Sequence, residues 1–156
     1  KVQPFSLIDK FVSLLNIKTV DQITVENSER KNILNLNHET IPAESEDEED
    51  TDQIKPDIDG ISVDESKFKT LYQAIIGVSY DALADENFSI NQNSTPFITI
   101  EYSLNNEEEN VLNKFYEYDN NFFIVEQYGT QKYLVNKKSV TEIFSNIDNL
   151  LSENNS

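Results

Sequence analysis

Apolar side chains recur along this chain with two different periods, and the switches between them mark out its elements. In ISVDESKFKTLYQAIIGV, Phe68, Leu71, Tyr72, Ile75 and Ile76 stand at i, i+3, i+4, i+7 and i+8, which is one face of an α-helix. Ser62 and Glu65 have the S-x-x-E spacing of a capping box, in which each side chain satisfies a free N–H at the helix start, and Gly77 would close the element. SVTEIFSNIDNLL repeats the pattern near the C-terminus. Its buried stripe would be Val140, Ile143, Phe144, Ile147, Leu150 and Leu151, and Ser139 with Glu142 would form a second capping box. A third helix is predicted in PFSLIDKFVSLL, where Leu7, Ile8, Phe11, Leu14 and Leu15 follow Pro4 or Ser6 at helical spacing.

Elsewhere the period is two. In PFITIEYSL, Ile98, Ile100, Tyr102 and Leu104 share one face while Thr99, Glu101 and Ser103 share the other, as in a half-buried strand. TVDQITVE and KNILNLN, parted by the polar residues Asn27–Arg30, read as a β-hairpin. In FYEYDNNFFIVEQYGTQKYLV the turn signals Asp119-Asn120-Asn121 and Gly129-Thr130-Gln131 divide a run of aromatics into three antiparallel strands. In the middle one Phe122, Ile124 and Tyr128 take one face and Phe123 and Val125 the other, so both faces of that strand should be at least partly covered. The tetrapeptides ITVE (Ile23–Glu26) and ITIE (Ile98–Glu101) each follow an amphipathic segment, an echo that hints at a repeated helix-then-strand unit.

Residues 38–56, HETIPAESEDEEDTDQIKP, follow neither period. Glu44–Asp52 carries seven acidic residues, and mutual repulsion with few apolar groups predicts a solvated acidic loop. The coarse order is therefore αββ–loop–α–ββββ–α. It reads as a single α+β domain over 1–156: an antiparallel sheet of about five to six strands with three amphipathic helices packed on it.

Composition narrows the functions this scaffold could serve. At 156 residues, 37% of them hydrophobic, the chain has material for one real core. Its 29 acidic residues against 12 basic ones give a net charge of −17, a field that repels phosphate backbones and anionic lipid. With no cysteine there are no disulfides, thiol nucleophiles or zinc–thiolate sites. Three glycines do not suffice for the phosphate-cradling loops, and a single histidine argues against a serine triad.

The residues left for chemistry are few. His38 sits beside the acidic stretch, where a solvated loop offers no rigid partners, so it reads as an ordinary surface histidine. DIDG beside the acidic run invites a calcium reading. If Gly60 were position 6 of an EF-hand loop, however, position 1 would be Lys55 and position 12 Ser66, and neither is the required ligand. No catalytic residue, metal ligand or cofactor site emerges. Asn87-Phe-Ser and Asn93-Ser-Thr match the N-glycosylation pattern, as chance matches do in an Asn-rich chain. Tyr116, Tyr118, Tyr128 and Tyr133 are the candidate partner-binding residues: they could form an exposed recognition patch, although strand pairing also accounts for them.

DIDGISVDESKFKTLYQAIIGV, PFITIEYSL and FYEYDNNFFIVEQYGTQKYLVNKKSV together resemble a bacterial family known as domain of unknown function 4340. The features that carry the likeness are the Phe68-x-x-Leu71-Tyr72-Gln73 helix core, the Tyr118-Asp119-Asn120 hairpin and the Asn136-Lys137-Lys138 helix entry, within roughly Asp57–Leu151. The resemblance implies an N-terminal membrane anchor followed by an extracytoplasmic domain, neighbouring ABC transporter components of the gliding-motility type, with no enzymatic activity. A chain that starts at Lys1 without methionine is then read as a piece of a longer, membrane-anchored protein. The expected function is that of a non-enzymatic auxiliary protein acting by protein–protein contact. The alternative is a cytoplasmic acidic inhibitor or immunity-type protein that occupies a basic target.

Overall fold

The computed structural model describes residues 15–90, 93–106, 109–127 and 130–154. Six of its strands are those the alternating patterns predict. They are β1 (Val20–Glu26), β2 (Lys31–Asn35), β8 (Ile98–Leu104), β9 (Val111–Glu117), β10 (Phe122–Gln127) and β11 (Thr130–Asn136). Five more carry no periodic signal: β3 (His38–Ile41), β4 (Thr51–Ile54) and the two-residue strands β5 (Asp57–Ile58), β6 (Ile61–Ser62) and β7 (Ala82–Leu83). Nine of the eleven join one antiparallel sheet in the order β6-β5-β2-β1-β8-β9-β10-β11-β7, while β3 and β4 form a separate two-stranded ribbon.

This corrects the α+β expectation. The chain is mostly β, with a nine-stranded sheet where about five or six strands were expected. Among the described residues there are two α-helices, α1 (Glu65–Ile76) and α2 (Lys137–Asn154), not three. The helix predicted over Leu7–Leu15 lies outside the described residues except for Leu15. The extra strands escape a pattern search because a two-residue strand has no period to detect; neighbouring backbone groups make it, not side chains.

Alternation decides which side of the sheet is dry. Ile23 and Val25 of β1, Ile98, Ile100 and Tyr102 of β8, and Val111 and Phe115 of β9 point to one face and are buried there. Both helices cover that face, with Phe68, Leu71, Tyr72 and Ile75 from α1 and Val140, Ile143, Phe144, Ile147 and Leu150 from α2. Fully burying one such side chain contributes about 1.5–3 kcal/mol, so this layer holds most of the fold's stability. The echoing segments ITVE and ITIE lie side by side at its centre, with Thr24 opposite Glu101 and Val25 opposite Ile100. The second face carries Thr24, Thr99, Glu101, Lys114 and Tyr116 with the exposed Leu112, and toward β10 and β11 it turns apolar and buried, at Ile124 and Leu134. The middle strand of the meander is thus apolar on both faces, as its sequence implied.

Both helices begin at caps other than those expected. Asp64 caps α1, its carboxylate accepting from the Lys67 N–H at 3.0 Å, while Ser62 is paired with Asp57 in the sheet and caps nothing. α2 starts two residues before Ser139, where Asn136 Oδ1 accepts from the Lys138 N–H at 2.8 Å. In each case a nearer oxygen acceptor takes the role, because asparagine and aspartate cap at least as well as serine.

Candidate functional site

Two features of the surface stand apart from the rest, an aromatic cleft and an acidic arm. The cleft begins at β9, whose outward residues run Leu112, Lys114, Tyr116 along the uncovered face. The connection after β7 folds back along the end of this strand. Its Asp85 N–H donates to the Tyr118 hydroxyl at 3.1 Å, and Phe88 lies against the Tyr118 ring at 4.7 Å between centroids. At the far end of the connection the Phe97 N–H donates to the Phe115 carbonyl at 2.8 Å, which fixes the residue just ahead of β8. Its ring leans on Phe123 at 5.3 Å yet stays 47% exposed.

Between these anchors lies a cleft of about 700 Å³. Phe88, Ile90, Phe97 and Tyr116 supply its apolar surface, and serine, threonine and asparagine side chains of the connection supply the polar rim. Among the described residues no lysine, arginine or histidine lines it, and the one carboxylate that does, Glu117, is held by Lys137 Nζ at 3.1 Å. The Tyr116 phenol is raised above its ordinary value, first by burial and then by the nearby Glu126 carboxylate, so it stays neutral and able to donate.

The four tyrosines singled out from the sequence do not make one patch. Tyr116 and Tyr118 meet at the cleft, Tyr116 lining it and Tyr118 bracing its wall. Tyr133 lies opposite Val125, which in turn lies opposite Phe115, so it belongs to the helix-covered face and stacks on Tyr80 at 4.2 Å. Tyr128 falls outside the described residues. Sequence reading missed Phe88 and Phe97, because neither belongs to an alternating or a helical apolar pattern. The signal present was a pair of large aromatics bracketing a stretch with no core to join.

The acidic arm is the β3–β4 ribbon, with Glu39 opposite Gln53 and Ile41 opposite Thr51, and with residues 42–50 at its tip. The expected solvated loop is therefore a strand pair at its base, exposed and acidic at its end. His38 is no ordinary surface histidine. Its side chain is only 16% exposed, with Nε2 2.7 Å from the Val20 carbonyl and Nδ1 3.2 Å from Asp52 Oδ2. Both neighbours are acceptors, so either tautomer satisfies one contact and a doubly protonated ring satisfies both. The arm is thereby tied to β1 of the main sheet.

The DIDG segment is used for structure. Asp57 accepts from Asn35 and Asn37 side chains, and Asp59 accepts from Asn32 and the Ile33 N–H. Among the described residues no group of three or more His, Asp or Glu side chains is placed to hold a metal. Nor do the described helices include one long and apolar enough to cross a membrane. The cleft, a groove between α1 and α2, and a hollow beside Asp85 are each lined by no more than one carboxylate. No family model matches the chain, and no curated protein or solved structure does either.

Proposed function

We propose that this chain is a non-enzymatic protein-binding domain, the extracytoplasmic part of a membrane-anchored auxiliary protein that works beside an ABC transporter. The observation that carries the contact reading is the acidic arm. Seven carboxylates between Glu44 and Asp52 stand beyond the sheet on a ribbon whose base is tied down by His38 and the buried Ile54. Charge presented in this way accelerates encounter with a complementary partner and orients it, while contributing little to the domain's own stability. The anchored setting and the transporter are supported by the likeness of the Phe68–Gln73 helix core and the Tyr118–Asn120 hairpin to the family described above.

A second reading is favoured by the same arm: an acidic inhibitor that covers a basic active site in the cytoplasm. Membrane flotation of the full gene product in its own cells, followed by cross-linking, separates the two. Recovery with lipid, cross-linked to transporter subunits, is the expected result. Recovery in the soluble fraction with one basic protein, released by salt, would replace the first reading with the second.

A further inference from the structure

The aromatic cleft has a chemistry of its own, separate from the acidic arm. Most of its apolar lining is aromatic, with Ile90 beside it, and includes Phe97, a phenylalanine nearly half exposed beside a strand end. Lone exposed apolar residues are ordinary, but here three aromatics converge on one concavity. Opposite the rings stand neutral hydrogen-bonding groups, including the exposed side chains of Ser89, Ser94 and Thr95. Hydroxyls of this kind both donate and accept.

The charges in the cleft decide what it can take. With no cation among the described residues that line it, Lys137 taken up by Glu117, and a net charge of −17 on the chain, a phosphate, sulfate or carboxylate ligand would be repelled. Specific capture of a cation would need a free carboxylate in the wall, and Glu117 already holds Lys137. What remains is an uncharged ligand with an apolar face and many hydroxyls at its edge. A pyranose ring fits that description: its axial C–H bonds lie flat on an aromatic face, while its equatorial hydroxyls reach the polar rim. A volume of about 700 Å³ lies within the range of small-ligand sites and accommodates about two or three linked sugar rings.

We propose that this cleft binds a short, uncharged oligosaccharide, stacked on Phe97 and Tyr116 and hydrogen-bonded to the rim at Ser89, Ser94 and Thr95. Phe97 is anchored through its backbone N–H to Phe115 and its ring rests against Phe123, so it is positioned before any ligand arrives. Tyr116 sits on β9, within the sheet, and adds a phenol that stays protonated.

The test is a titration of the full chain with maltotriose, cellotriose and tri-N-acetylchitotriose, followed by calorimetry and by backbone amide shifts. At least one is expected to bind saturably below about 10 mM, with shifts centred on Phe97 and Tyr116. Phe97→Ala should weaken that binding about tenfold, the loss expected for one aromatic contact. Ser94→Tyr, an exposed position that leaves the core alone, should block the cleft and abolish binding. Circular dichroism would confirm that both variants fold. The proposal is overturned if none of the three sugars saturates, if both variants bind as the parent does, or if a lysine-rich or proline-rich peptide occupies the cleft and no sugar displaces it.

Discussion

Arg30 and Asp148, 118 residues apart, meet in a two-pronged ion pair: Nη1 to Oδ2 at 2.9 Å and Nη2 to Oδ1 at 2.7 Å. The pair ties the β1–β2 turn to the outer side of α2. The same guanidinium lies over the Phe144 ring at 4.9 Å and donates from Nε to Asn32. Among the described residues Arg30 therefore joins three neighbours and Asp148 one.

That asymmetry predicts unequal costs. Asp148→Asn should destabilise by less than about 1 kcal/mol, because the carboxylate is more than half exposed and screened by solvent. Arg30→Ala should cost more, through lost packing on Phe144 and the loss of the donor to Asn32 Oδ1. The hydrogen bonds from Arg30 hold the Asp148 carboxyl below its ordinary value. Its folded-state affinity for protons is thus lower than in the unfolded chain. The stabilisation is present above the ordinary carboxylate range and is lost as pH falls through the lower folded value. Urea titrations at neutral and acid pH should show the gap between Asp148→Asn and the parent closing in acid; a constant gap would refute the assignment.

At the alkaline end the buried phenols govern stability. Burial raises both Tyr102 and Tyr72 above the ordinary value of 10.0, and Tyr102 is further raised by Tyr72. The folded chain resists losing these protons while the unfolded chain releases them near pH 10. Stability is accordingly full below that pH and falls as pH rises above it. Tyrosinate absorbance should appear in two stages, with the Tyr102 contribution arriving only with unfolding. Tyr72→Phe removes the 2.6 Å hydrogen bond to the Leu15 carbonyl and should cost about 1 kcal/mol.

Cap identity is open to a paired comparison. Asp64→Ala should lose about 1 kcal/mol of stability, measured by thermal unfolding, whereas Ser62→Ala should change it by less than about 0.5 kcal/mol. Asn136→Ala and Ser139→Ala should show the same contrast at α2. A larger cost at Ser62 or Ser139 than at the residue preceding each helix would contradict the observed starts.

His38→Ala should loosen the arm without unfolding the sheet. Hydrogen exchange across Thr51–Ile54 is expected to accelerate several-fold, the response of a locally released element, while the amides of β8 and β9 keep their protection. His38→Gln, which can still donate to one of the two acceptors, should fall between the parent and the alanine variant. Uniform loss of protection across both sheets would show that His38 supports the whole fold and not the arm alone.

Six strands and two helices were legible in the sequence because their signal is local. Ile98, Ile100 and Tyr102 alternate whatever lies beside them, and Phe68 to Ile75 mark one side of a helix before it meets a sheet. The acidity of residues 44–52, and with it the exposed tip of the arm, was equally plain. Other features depended on which groups end up as neighbours. β5, β6 and β7 exist because Leu34, Ile58 and Leu134 bring backbone partners to them. Asp64 displaced Ser62 as a cap because Ser62 was already paired in the sheet. His38 became an anchor only when the ribbon laid it against Val20 and Asp52. Tyr116 and Tyr133, similar in sequence context, parted to opposite faces by strand register, and Phe88 and Phe97 converged across a connection with no periodicity. Periodicity is a property of the chain, while pairing, capping and cleft formation are contests among groups far apart in it, and only the tertiary structure decides which of them meet.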